Sequence, residues 1–307
     1  MEIQFLGTGA GMPAKHRNVS SLVLKLLQER NEAWLFDCGE AAQIQILHTT
    51  IKPRKINKIF ITHLHGDHIF GLPGLLSSRT FQAGEIQMPL TVYGPVGIQA
   101  FIEMALKISQ TKLGYPIEFH ELKAEGVIFE DSSFRVETAK LAHGIPCFGY
   151  RIIEKDKTGE LQVDKLQALG VLSGPIYGKI KSGQSIEVDG KTYPASDFIG
   201  ETKLGKIVTI LGDTRRTEKS IALAKNADVL VHEATYGESD QKLAYRHFHS
   251  TSVDAAKIAQ AAGVKQLLLN HISARFTIKG MYELEREAKQ IFKQTKIVRD
   301  LEEVEIK

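Results

Sequence analysis

The stretch Thr62-His63-Leu64-His65-Gly66-Asp67-His68 follows a short apolar run and holds three histidines and one aspartate within six residues. On an extended backbone, residues two apart share a face, so His63 and His65 can bind one ion together. Gly66 lets the chain turn, and the adjacent Asp67 and His68 point in different directions, which suits a second ion. Imidazole and carboxylate ligands favour zinc, with manganese or iron as competitors. The pattern predicts a two-metal site.

Further metal ligands are expected at the ends of other apolar runs. Residues 134–141 lead to His143, residues 206–211 lead to Asp213, and residues 266–269 lead to Asn270 and His271. Strands that end in such residues are typical of a site assembled from loops along one sheet edge. Asp213 is the only carboxylate among the three donors, so it is the candidate that bridges both ions.

The apolar runs and the helical segments between them predict an α/β fold in which two sheets pack face to face with helices outside. Residues 152–206 depart from this pattern, because they hold eight of the 26 glycines and few long apolar runs. Gly174-Pro175 and Asp189-Gly190 are turn signals, the latter typical of a hairpin. We interpret the segment as an inserted, protruding arm; the alternative is an ordinary long loop.

Composition restricts the protein's location and partners. Hydrophobic residues make up 43% and charged residues 24%, as in a soluble globular protein, and no apolar run is long enough to span a bilayer. With Cys38 and Cys147 as the only cysteines and no opening signal peptide, a disulfide framework is excluded and a cytoplasmic location is expected. The net charge of +3 permits RNA as a partner without predicting it. Residues 7–11 are glycine-rich but lack the rest of a nucleotide-binding motif, so no nucleotide cofactor is expected.

Several motifs carry a family resemblance that extends over essentially the whole chain. They are the 62–68 loop, the glycine-rich start with a PxKxRN loop at 7–18, His232-Glu233-Ala234-Thr235, His249-Ser250-Thr251 and the 271–276 segment around the last metal ligand. The chain resembles the metallo-β-lactamase superfamily and, within it, the short form of the ribonuclease Z family, whose members trim the 3′ end of precursor tRNA.

The resemblance implies a fold, a metal set and partners. The fold would be one αββα sandwich domain over residues 1–307, with a flexible arm at 152–206 that binds tRNA away from the catalytic site. Two zinc ions per subunit would be held, one by His63, His65, His143 and Asp213 and the other by Asp67, His68, Asp213 and His271. The partners would be precursor tRNA and a second subunit in a homodimer. Cleavage would leave a 3′-hydroxyl on the tRNA and a 5′-phosphate on the trailer.

Three residues are expected to take part in proton transfer. Asp67 can orient or deprotonate the attacking water as well as bind metal, and the sequence does not separate the two roles. His249 is the preferred donor of a proton to the leaving 3′ oxygen, held by Glu233, because a carboxylate stabilises imidazolium. His247 is the alternative donor. His232 is interpreted as a buried structural histidine as readily as a catalytic one.

RNA contacts are expected in three places. Lys15, Arg17 and Asn18 lie in the loop that resembles the family's RNA-contacting loop, and Gly174-Pro175 marks the arm. Arg275 is a candidate phosphate contact, with a structural ion pair as the alternative. Thr214-Arg215 is a weaker candidate of the same kind.

Two other functions compete with an RNA endonuclease. The first is a small-molecule hydrolase of the same superfamily, such as a thioesterase or phosphodiesterase, but a small substrate would have no use for a basic arm of some fifty residues. The second is an RNA-binding scaffold with a relict metal site, against which the intact ligand set argues.

Overall fold

The structure, a computed structural model, describes residues 1–81 and 88–307. The strands in these residues are β1 (Glu2–Gly7), β2 (Gly9–Ala10), β3 (Ser21–Leu26), β4 (Glu32–Phe36), β5 (Ile56–Phe60), β6 (Leu90–Pro95), β7 (Ile117–Leu122), β8 (Gly126–Glu130), β9 (Phe134–Leu141), β10 (Cys147–Glu154), β11 (Ile186–Val188), β12 (Lys191–Tyr193), β13 (Ile207–Ile210), β14 (Val229–Glu233), β15 (Gln266–Asn270), β16 (Ile272–Ser273), β17 (Thr295–Ile297) and β18 (Glu303–Glu305). The helices are α1 (Ala42–Ile46), α2 (Gly66–Ile69), α3 (Leu72–Thr80), α4 (Ile98–Ile108), α5 (Val163–Ala168), α6 (Pro175–Lys181), α7 (Glu218–Ala224), α8 (Gln241–Arg246), α9 (Ser252–Ala262) and α10 (Ile278–Ile291).

Two large sheets form the frame. Their strand orders are β18-β1-β3-β4-β5-β6-β7 and β17-β15-β14-β13-β10-β9-β8. Strands β4 to β7 run parallel in the first sheet, and β13, β14, β15 and β17 run parallel in the second. Parallel strands place their carboxyl ends at one edge of a sheet, which is where ligand sites form in such folds.

An aromatic layer joins the inner faces of the two sheets. Phe36 of β4 pairs in register with Phe60 of β5, and their rings stack with centroids 4.9 Å apart. Tyr150 of β10 packs 5.3 Å from the Phe60 ring, and its hydroxyl donates to the carbonyl oxygen of Ile61 at 2.6 Å. The buried hydroxyl therefore has a partner, as a tyrosine in a core requires.

Alternate residues of the same strands face the outer helices, as the two-residue period of a strand demands. Ile59 and Ile61 flank Phe60 and belong to a core cluster that includes Leu72 and Leu76 of α3 and Ile102 of α4. A second cluster joins β14 and β15 to α7, α9 and α10. The result is the predicted order of helices, sheet, sheet and helices. Helix α10 begins at Ile278, because Thr277 caps it by accepting from the Gly280 amide.

The chain divides into two compact units, residues 1–129, 136–152 and 207–307 in the first, and residues 130–135 and 153–206 in the second. The second unit holds α5, α6 and the β11–β12 hairpin around a small core of its own, formed by Leu166, Val171, Ile180, Ile186, Ala195 and Phe198. The segment is thus folded and is not an extended loop. Its binding of tRNA stays a prediction.

The hairpin predicted in this second unit is confirmed. Val188 pairs with Lys191, and the two residues between them, Asp189 and Gly190, both have positive φ, at 51° and 74°. Such a pair defines the tight turn whose twist matches that of the flanking strands. The description of this segment as basic was wrong, however, because residues 153–206 contain eight lysines and eight acidic residues, a net charge of zero.

None of the helices within residues 1–81 and 88–307 has the length and apolar character that crossing a bilayer requires.

Candidate metal centre

His63, His65 and His143 bring three imidazoles together. The Nε2 atom of His63 lies 3.0 Å from Nδ1 of His65, which lies 3.2 Å from Nε2 of His143. Nitrogen ligands bound to zinc at about 2.0–2.1 Å in a tetrahedron lie roughly 3.3 Å apart. The three nitrogens therefore have the spacing of a metal site. The first two come from the loop after β5, and His143 comes from the loop after β9.

Asp67, His68 and His271 form a second group. Helix α2 begins at Gly66 and turns Asp67 and His68 toward the loop after β15, which supplies His271. The Nε2 atoms of His68 and His271 are 3.2 Å apart, and Oδ2 of Asp67 lies 3.3 Å from the latter. His271 has a left-handed backbone with φ of 55°, which is rare for a residue other than glycine. Strained backbone of this kind concentrates at functional sites.

Asp213 lies between the two groups. Its Oδ2 atom is 3.6 Å from Nε2 of His63, 3.6 Å from Nε2 of His68 and 3.4 Å from Nε2 of His271. Burial opposes ionisation of this carboxyl, but the facing imidazoles outweigh burial and hold its pKa well below the usual range. Asp213 is therefore an anion placed where one oxygen can face two cations.

Asp37 supports the ligands from beneath. Its carboxylate accepts from the amide and hydroxyl of Thr62 at 2.7 and 2.8 Å, and its Oδ2 lies 2.7 Å from Nδ1 of His68. A carboxylate at Nδ1 fixes the ring orientation and leaves Nε2 free for metal. Asp37 thus positions Thr62 and His68 through hydrogen bonds.

His249 and Glu233 form an ion pair beside the two histidine groups. Nδ1 of His249 is 2.9 Å from Oε1 of the buried Glu233, which also accepts from the Thr214 amide. Burial lowers the pKa of His249, but Glu233 outweighs burial and raises it to about 9. His247 is exposed. Of the two candidate proton donors, the structure brings only His249 to the site.

Two supporting contacts were not predicted from the sequence. The Thr235 hydroxyl donates to Oε2 of Glu233 at 2.6 Å and lies 2.9 Å from Nδ1 of His271. The Gly11 amide donates to Oδ2 of Asp67 at 2.8 Å. Thr235 is the last residue of the 232–235 motif and Gly11 belongs to the glycine-rich start. The sequence motifs therefore include both residues, but they do not predict which groups these residues contact.

The predicted RNA-binding residues are dispersed. Lys15 is exposed, Asn18 is half-buried, and Gly174 and Pro175 are exposed at the start of α6 in the second unit. Arg275 is exposed, pairs with Asp240 at 3.5 Å and lies over the Tyr236 ring at 4.4 Å.

The structure contradicts the prediction that Arg17 contacts RNA. Its side chain is only 7% exposed, and its guanidinium donates to the hydroxyl of Thr8 at 2.5 Å and to the carbonyl oxygen of Val298 at 2.8 Å. Those donors are committed to the protein, so Arg17 anchors the loop and does not present its charge to a phosphate in this structure.

Comparison with known proteins identifies the family. A ribonuclease Z of Enterococcus faecalis is 60% identical over all of this chain and 97% of its own length. The chain belongs to the ribonuclease Z family. A ribonuclease Z of Streptococcus equi subsp. equi is 59% identical over 99% of both chains. The structure of the short form of human tRNase Z covers both chains completely, with 30% identity and a TM-score of 0.73.

A family model described as the anti-Pycsar protein Apyc1 matches residues 1–145. This match covers less than half of the chain, whereas the ribonuclease Z relatives cover it from end to end. The predicted family, fold and enzyme class, an endoribonuclease, are confirmed. The histidine and aspartate groups described above could hold a divalent metal ion in this fold.

Proposed function

We propose that this chain removes the 3′ trailer from precursor tRNA in the cytoplasm, leaving a 3′-hydroxyl on the tRNA and a 5′-phosphate on the trailer. The observation that carries the proposal is the position of Asp213 between two histidine groups, with the His249–Glu233 pair beside them. Membership of the ribonuclease Z family supplies the substrate class.

Two zinc ions fit the ligands. One would be held by His63, His65, His143 and Asp213, and the other by Asp67, His68, Asp213 and His271. When bound, the ions supply positive charge for the phosphate and acidify water, and manganese or iron could substitute. Asp67 would be both a ligand and the carboxylate that orients the attacking water, since its Oδ2 lies 3.3 Å from Nε2 of His271 and accepts from the Gly11 amide.

The leaving 3′ oxygen needs a proton, and His249 supplies it. An imidazole that the buried Glu233 keeps protonated is a source of that proton at neutral pH. His249 is 16% exposed at its side chain, so substrate can reach the ring while Glu233, at 1%, cannot be reached.

Lys15 and Asn18 contact the RNA near the cleaved bond, with Arg17 anchoring their loop, and Arg275 contributes a charge. Residues 153–206 bind the tRNA body through the exposed Gly174-Pro175 turn. Because residues 153–206 have no net charge, their affinity for tRNA would depend on where individual lysines such as Lys179 and Lys181 lie. Binding should weaken with salt in proportion to the phosphate contacts made.

A homodimer is favoured by an exposed apolar surface on the first unit. Phe70, Met104 and Ile108 are 64%, 55% and 74% exposed, and the Phe70 ring stacks on Phe101 of α4. Clustered apolar exposure of this kind marks protein interfaces. Light scattering should give twice the 34.1 kDa mass of the chain, and Ile108→Asp should shift it toward the monomer.

The deciding experiment is cleavage of a 3′-extended precursor tRNA by the zinc-loaded protein, with the ends mapped to single nucleotides and His65→Ala as control. A single cut after the acceptor stem, lost in the variant, is expected. Turnover of bis(p-nitrophenyl) phosphate without any cut in tRNA would favour a small-molecule phosphodiesterase instead. Zinc well below one ion per chain would favour the RNA-binding scaffold.

A further inference from the structure

Arg215 fixes two aromatic rings next to the candidate metal centre. Its Cζ atom lies 3.7 Å from the Tyr245 ring centroid and 3.9 Å from that of Phe248. Its Nε donates to the carbonyl oxygen of Tyr245 at 2.6 Å, and its backbone amide donates to the carbonyl oxygen of Ala142. Both rings therefore contact the Arg215 guanidinium, and hydrogen bonds from the side chain and the backbone of Arg215 fix its position.

The platform formed by Arg215, Tyr245 and Phe248 is coupled to the catalytic residues. Phe248 has a left-handed backbone, with φ of 61°, and its carbonyl oxygen lies 3.0 Å from Nδ1 of His143. The next residue is His249. The same turn therefore orients a metal ligand and the proton donor, so the rings have a defined position relative to the reacting atoms.

The held rings are nevertheless open to solvent. Tyr245 is 66% exposed and Phe248 is 37% exposed. Burial of apolar area therefore explains little of their placement, and packing does not require an aromatic ring at position 245. Exposed aromatic rings fixed beside positive charge are what proteins use to stack the bases of single-stranded nucleic acid.

A cavity of about 610 Å³ joins this platform to the proton donor. It is lined by Tyr245, Arg215 and His249, with Arg216 and Lys242 at its wall. Its volume is in the range of cavities that hold small ligands. Under the proposed function, His249 protonates the leaving 3′ oxygen, so the nucleotide that carries this oxygen must lie within hydrogen-bond reach of the His249 ring. That ring lines the same cavity as Tyr245 and Arg215.

We infer that Tyr245, backed by Arg215, stacks the base of the nucleotide that carries the leaving 3′ oxygen, the last nucleotide of the trimmed tRNA. The inference rests on the proposed function and adds the site at which that base is bound. Stacking accepts every base, so the site fixes position without demanding a sequence. The exposed Arg216 and Lys242 lie where they can attract the neighbouring phosphate.

The test combines a change in the protein with a change in the substrate. Wild type, Tyr245→Ala, Tyr245→Phe and Tyr282→Ala are compared on precursor tRNA with and without the base at this nucleotide. Tyr282 is a matched control because it is exposed to a similar extent, 63%, and lies on α10. We expect loss of the base to raise the KM of wild type about tenfold, and Tyr245→Ala to raise it similarly and then to be insensitive to the base. Tyr245→Phe and Tyr282→Ala should behave as wild type.

A binding measurement gives a readout independent of turnover. A tRNA ending at this nucleotide, with 2-aminopurine as its last base, should lose fluorescence on binding wild type and keep it on binding Tyr245→Ala. Equal quenching by both, or equal sensitivity of both to the missing base, overturns the inference and leaves the proposed function intact. Failure of wild type to bind or cleave any tRNA would overturn both.

Discussion

At the scale of single residues, the protein separates two tasks that a phosphodiesterase must perform. Asp213 and the histidines around it could hold cations, whereas His249 is paired with Glu233, a carboxylate that is only 1% exposed. Burial by itself raises the pKa of Glu233, but the adjacent His249 imidazole outweighs burial and keeps that pKa below its usual value. The pair is thus a charged acid at the rim of the metal centre.

Replacing His249 tests this assignment. His249→Ala should lower kcat on precursor tRNA by about 10²- to 10⁴-fold, the usual contribution of general acid catalysis. A substrate with sulfur in place of the leaving 3′ oxygen needs no proton, so most of the loss should disappear with it. Rate measurements on the two substrates decide the matter, because equal losses would show that His249 is not the proton donor. His247→Ala provides the control from the same turn.

Thr235 is predicted to control metal affinity without touching metal. Thr235→Val removes the hydroxyl between Glu233 and Nδ1 of His271, and loss of such a supporting group weakens metal binding by about 10- to 100-fold. Thr235→Ser keeps the hydroxyl and should bind metal as tightly as wild type. Competition with a zinc chelator measures the effect, and unchanged zinc affinity in the valine variant would show that His271 is oriented by other contacts.

At the scale of elements, an ion network joins strands from the two ends of the chain. Lys25 of β3 is 6% exposed and pairs with Glu2 of β1 and Glu303 of β18, each at 2.7 Å. The hydrogen bond from Lys25 is the main cause of a lowered pKa at Glu2. A carboxyl whose pKa is lowered on folding adds stability that is present above its unfolded value of 4.5 and is lost as the pH falls through the folded value.

The pH dependence of unfolding should reveal this network. Lys25→Met should be less stable than wild type at neutral pH, and the difference should shrink as the pH falls below 4.5. Urea denaturation at a series of pH values measures it. A difference that is constant from neutral to acid pH would mean that the packing of the lysine stem, and not its charge, stabilises the strands.

At the scale of the whole molecule, the presence of two compact units leads us to expect that one cleaves the substrate and the other binds it. The first unit contains the candidate ligands and the His249–Glu233 pair, and the second contains none of them. Deleting residues 176–196 should therefore raise the KM for precursor tRNA and leave hydrolysis of bis(p-nitrophenyl) phosphate intact. Steady-state kinetics on both substrates test this, and a similar loss on both would show that the second unit supports the fold instead.

The local features of this protein could be predicted from its amino-acid sequence. The 62–68 loop, the donors after apolar strands and the Asp189-Gly190 turn follow from side-chain period and turn chemistry, which act over a few residues. The roles of side chains whose partners are distant in the sequence could be seen only in the folded structure. Arg17 is buried because Thr8 and Val298 receive its donors, and His249 rather than His247 reaches the site because Glu233 lies beside it. The role of Thr235 likewise depends on His271, 36 residues away, because a hydroxyl's function is set by the groups that folding brings within hydrogen-bond distance.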